Sequence, residues 1–60
     1  MQFAKLPGED GKTVFINPTQ VTSVRELNER LCLVACGKDV MNVPLPINVV
    51  ISDLEAALRR

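Results

Sequence analysis

The side chains able to do chemistry in this chain are few, and their spacing does not favour it. Cys32 and Cys36 are the only thiols, and there is no histidine, so the commonest general base is missing. Both cysteines lie in Leu31-Cys32-Leu33-Val34-Ala35-Cys36, an apolar run whose burial raises a thiol pKa and makes the sulfur inert. Ser23 and Ser52 have no evident base beside them. A structural zinc needs four ligands, and neither a His nor a second Cys pair is present. If the run is a strand, the two cysteines sit about 13 Å apart at about 3.3 Å per residue. That is beyond the Cα separation of about 7 Å that a disulfide tolerates. Two buried thiols acting as small hydrophobes in a reducing cytoplasm are the plain reading. A disulfide between chains, or a metal shared across a dimer, is the alternative. No catalytic, cofactor-binding or metal-binding residue is assigned, and the chain reads as a non-enzyme.

The charged residues balance. Seven Lys plus Arg face seven Asp plus Glu, for a formal net charge of zero, which removes the default electrostatic case for nucleic acid or an anionic membrane. Asp10, Asp39 and Asp53 fall at turns or at a helix start, where a carboxylate caps backbone N–H groups. Pro7-Gly8-Glu9-Asp10-Gly11 lacks the Gly-Lys-Ser/Thr spacing of a phosphate loop. The cations are spread along the chain, yet a symmetric dimer could gather Lys12, Arg25 and Arg30 into a stripe. A small RNA- or DNA-binding regulator built on a β-rich homodimer is therefore the alternative function. Phe15, one of only two aromatic residues, is expected in the core rather than as a stacking platform for bases.

The elements that must position these residues follow from turn signals. The Pro7–Gly11 cluster separates a first strand over about 1–6, with Phe3 and Leu6 as core contacts, from a second over about 12–17. Asn17-Pro18 ends this hairpin, and Pro18-Thr19-Gln20 makes a helical turn or a β-turn. A half-exposed third strand covers about 21–27. Asn28 is suited to a left-handed turn position. A fourth strand, 31–36, is apolar throughout and reads as buried on both faces. A short fifth strand covers about 40–43 and is closed by Pro44 and Pro46.

From Pro46 the period changes. Ile47, Val50, Ile51, Leu54 and Leu58 recur at helical spacing, predicting a helix over about 47–59. Two starts are open: Pro46, suited to the first helical position, and Ser52, which opens a capping box with Glu55. The class is α+β, an antiparallel meander of four or five strands with one C-terminal helix in a single domain over 1–60. A chain of this length buries only about 60% of its unfolded surface, and one helix covers one sheet face. The other face needs a second copy of the chain or closure of the sheet into a small barrel. Leu31, Cys32, Leu33 and Val34 are the candidate oligomer interface.

The order of these pieces resembles the small bacterial FlbD/SwrD-like proteins. The likeness is carried by Lys5-Leu6, Gly11-Lys12, Phe15-Ile16-Asn17, Val21, Val24 with Glu26, Gly37-Lys38 and Val49-Val50. The chain departs from that pattern at Val43-Pro44-Leu45-Pro46, where the family runs a charged strand into its helix. The resemblance implies a non-enzymatic accessory protein connected with flagella. The expectation is a cytoplasmic protein–protein interaction or regulatory module, homo-oligomeric, bound to a protein partner. With no signal peptide at the N-terminus and no apolar run near 20 residues, it is not expected to insert into a membrane.

Overall fold

The computed structural model describes residues 1–60. It shows five antiparallel strands in two sheets and one C-terminal helix, an α+β fold without a closed barrel. Strands β1 (Ala4–Pro7) and β2 (Thr13–Ile16) form a hairpin. Strands β3 (Val21–Asn28), β4 (Leu31–Cys36) and β5 (Asp39–Val43) form a second sheet in that order. A 3₁₀ turn over Pro18–Gln20 separates the two sheets, so the strands do not make one continuous meander. Asn17 positions this turn: its Oδ1 accepts from the Thr19 backbone N–H at 3.0 Å and from the Thr19 hydroxyl at 2.7 Å.

One core lies between the hairpin, the three-stranded sheet and the helix. It is built from Ala4, Leu6, Ile16, Cys32, Val34, Val43, Val50, Leu54 and Ala57. The alternation along β4 is clear. Cys32 and Val34 are wholly inside, whereas Leu31, Leu33 and Ala35 are half-buried on the outer face. The expected burial on both faces is therefore only partly met within one chain, because the helix and the hairpin's inner face lie on the same side of the sheet.

Two irregularities explain why β3 does not simply alternate. The register with β4 shifts between Val21 and Ser23 and again between Glu26 and Asn28. At the first shift Thr22 is the extra residue, and its hydroxyl donates to the Ala35 carbonyl at 3.1 Å. The bulge lets Val21 and Val24, three apart, both pack on the core. At the second, Leu27 is the extra residue and is exposed. Asn28 does not adopt a left-handed conformation, since only Gly11 and Gly37 have positive φ. It shapes the turn through its side chain instead, Oδ1 accepting from the Arg30 N–H at 2.8 Å. Gly37, at φ +64°, takes the first position of the two-residue β4–β5 loop, the place glycine holds in type II′ hairpins.

The helix α1 runs Ile47–Arg59 with Pro46 as its cap. The Pro46 carbonyl accepts from Val49 and Val50 at 3.1 and 3.2 Å, so the chain takes the earlier of the two starts. Ser52 lies mid-helix and exposed, not at a cap. Burial of Val50 outweighs the weak helix propensity of Val49-Val50-Ile51, as tertiary packing does for most short helices. The inward face is Val50, Leu54 and Ala57, while Ile51 and Leu58, expected on it, are exposed. Ala57 is small enough to let the N-terminal segment pass close by. The Gln2 N–H donates to the Ala57 carbonyl at 2.9 Å, satisfying one of the carbonyls a helix end leaves unpaired.

Candidate functional site: two exposed apolar faces

The thiols are placed as core side chains. Cys32 is buried and its Sγ–H donates to the Leu45 carbonyl at 3.2 Å, while Cys36 is half-buried, and both are free. Burial pushes the Cys32 thiol pKa up, and the Glu26 carboxylate adds to the shift. Burial does the same to Cys36, with Asp39 adding to it. Neither sulfur sits in the positive field that forms a reactive thiolate. No group of three His, Cys, Asp or Glu residues is arranged to hold a metal ion. No helix is long and apolar enough to cross a membrane.

The candidate interface residues divide between the two faces of β4. Cys32 and Val34 are enclosed in the core, so no partner reaches them, and Leu31 and Leu33 remain on the outer face. Register adds neighbours that sequence spacing did not supply. Ala35 lies between Ser23 and Val40, and Leu33 between Arg25 and Asn42. Val40 is 58% exposed. At the border of this face the β1–β2 loop comes up against β5, where the Asn42 side-chain amide donates to Glu9 at 2.8 Å. A groove of about 490 Å³ opens there, lined in part by Leu33, Val40 and Met41 and in part by Glu9 and Asp10.

The three cations of the nucleic-acid alternative are not brought together within one chain. Lys12 is in the hairpin loop, Arg25 on the outer face of β3 and Arg30 in the β3–β4 turn. A different surface carries stacking chemistry. Phe3 and Phe15, both expected in the core, are 54% and 58% exposed. Lys5 and Phe15 are cross-strand partners, with the Lys5 Nζ 5.6 Å from the Phe15 ring centroid, within cation–π range. Phe3 precedes β1 and, with Lys5, lines a pocket beside the helix residues Asp53, Ala57 and Arg60.

Compared with protein-family models, curated proteins and solved structures, the chain matches none. The class is defined by its fold, a small α+β protein in which both sheets leave apolar side chains on their outer faces.

Proposed function

We propose that this chain is a non-enzymatic protein-interaction module, accessory or regulatory in role, that works as a homo-oligomer in the cytoplasm. The observation carrying this reading is the outer face of β4, where Leu31, Leu33 and Ala35 are only half-covered and Val40 stands exposed beside them. Aliphatic side chains concentrated at the centre of a sheet face favour a covering surface over solvent. If its motif order places it with the FlbD/SwrD-like proteins it resembles, the accessory role is one connected with flagella. Light scattering across a dilution series, with and without reductant, tests the reading. A dimer that persists in reductant and dissociates only on dilution is expected, and a monomer at all concentrations overturns it.

The exposed Lys5–Phe15 pair favours a second reading, a binder of single-stranded RNA or DNA, because aromatic platforms beside cations stack bases without sequence preference. Retention of a labelled single-stranded oligonucleotide, lost with rising salt and with Phe15→Ala, would support it. No retention at low salt would exclude it.

A further inference from the structure

One register row crosses the outer face of the three-stranded sheet: Arg25 on β3, Leu33 on β4 and Asn42 on β5. Charge is split along it. Arg25 is exposed and has no carboxylate within ion-pair distance, the chain's single ion pair being Arg59–Glu55. At the opposite end Asn42 holds Glu9, and Glu9 and Asp10 line the groove beside Leu33 and Val40. The face thus has a cationic flank, an apolar centre and an acidic flank.

We infer that a second copy of this chain covers this face across a two-fold axis running along β4, setting Arg25 of each copy against the acidic groove of the other. The inference rests on the proposed self-association and names its partner and its geometry. Two identical faces meet across a two-fold axis lying in the plane between them. An axis perpendicular to the strands and level with this row lays β3 on β3, placing Arg25 against its own copy and the acidic flank against itself. An axis along β4 exchanges the flanks. Leu33 then meets Leu33, and β3 of one copy lies over β5 of the other. With strands about 4.8 Å apart, Arg25 and Asn42 sit at similar distances on either side of that axis. The long Arg25 side chain thereby comes over the groove that Asn42 and Glu9 border. Of these two axes, only the one along β4 sets each Arg25 against the carboxylates of Glu9 and Asp10, and it does so twice by symmetry.

The area requirement sets the extent of the contact. A standard interface takes roughly 800 Å² from each partner, about a fifth of the 4154 Å² this chain exposes. Leu33 and Ala35 alone do not supply that, so Arg25, Val40 and the groove rim belong to the contact.

The test is the dimer dissociation constant, measured by sedimentation at low salt for wild type, Arg25→Glu, Glu9→Arg, the double variant and Leu33→Glu, with far-UV circular dichroism confirming that each is folded. Each charge reversal is expected to weaken the dimer about tenfold or more. The double variant, which restores opposite charges across the interface, is expected to return to within about threefold of wild type. The single-variant losses shrink in about 1 M salt, where the screening length falls to about 3 Å. Single variants that leave the dimer unchanged, or losses that add in the double variant, overturn the proposed axis. If Leu33→Glu is monomeric in the same experiment, the face survives that result and only its geometry fails. A folded Leu33→Glu that dimerises like wild type removes the face itself, and a monomeric wild type removes the self-association on which the inference rests.

Discussion

Val34→Ala and Leu33→Ala change adjacent residues of one strand, and the structure gives them different costs. Val34 is wholly enclosed, and its register partners Val24 and Met41 also pack on the core. Removing two carbons there forfeits about 1.6 kcal/mol of transfer free energy at about 0.8 kcal/mol each. The cavity left behind raises the loss to about 2–3 kcal/mol. A domain of this length has about 3–9 kcal/mol in total, so the midpoint of thermal unfolding should fall by about 10–20 °C. Leu33→Ala removes three carbons from a half-covered site and should cost the isolated chain only about 1 kcal/mol. The chain has no Trp or Tyr, so urea unfolding is best followed by far-UV circular dichroism, in dilute solution where self-association contributes least. The Leu33→Ala loss should grow with protein concentration if that face is covered by another copy, because binding to the folded state adds to apparent stability. The Val34→Ala loss should keep its intrinsic component at every concentration. A Leu33→Ala loss equal to or larger than that of Val34→Ala at the lowest concentration would refute the assignment of the two faces.

Ser52→Ala should be neutral or slightly stabilising in the same assay, because Ser52 is an exposed mid-helix residue and alanine is the better helix former; a loss near 1 kcal/mol would instead mark it as a cap. Gly37→Ala should cost about 1–2 kcal/mol, since φ is +64° there and a side chain disfavours that region, although a Cβ would meet no neighbour within 4 Å. Alkaline pH should destabilise the protein through Cys32. Its thiol pKa is raised in the folded chain from an ordinary value of 9.0, so the unfolded chain releases that proton first. The associated stability is intact below pH 9 and is lost as pH rises from there toward the folded-state value. Cys32→Ala should therefore lose less stability than wild type between pH 8 and 10.5, with Cys36 contributing to both; parallel declines would contradict the burial of that thiol.

Features set by local chemistry were legible in the sequence. Asn17-Pro18 stops the hairpin and starts the 3₁₀ turn, and Gly37-Lys38 reverses the chain with glycine at the strained position, because each constraint involves only a residue and its immediate neighbours. Features set by a distant partner were not. Thr22 is the extra residue of a bulge against β4 that brings Val21 and Val24 onto one core, and the helix turns Ala57, rather than Ile51 or Leu58, onto that core. Of the candidate interface, Leu31 and Leu33 lie where a partner can reach them and Cys32 and Val34 do not. Hydrophobicity alone could not separate them, as all four are apolar.

Parity could have. In a strand, residues an even number apart share a face. Leu31 and Leu33 can therefore lie together outside, but neither can join Cys32 and Val34. In a strand without a bulge the same rule keeps residues three apart, such as Phe3 and Leu6, from sharing the core, and it forces a choice between Phe15 and Ile16. The register of the hairpin shows which choice the molecule makes: Ala4 opposes Ile16 and Leu6 opposes Val14 on the inner face. With Leu6 and Ile16 inside, Lys5 and Phe15 must be outside, and Phe3, just before β1, is exposed as well. The core encloses no aromatic residue and is filled by small and aliphatic side chains, among them Ala4, Leu6, Ile16, Val34, Val50 and Ala57. The hairpin register thus puts Phe15 outside, and the same alternation puts Leu33 on the outer face of β4. Both apolar surfaces arise from a chain whose strands carry more apolar residues than one core can enclose.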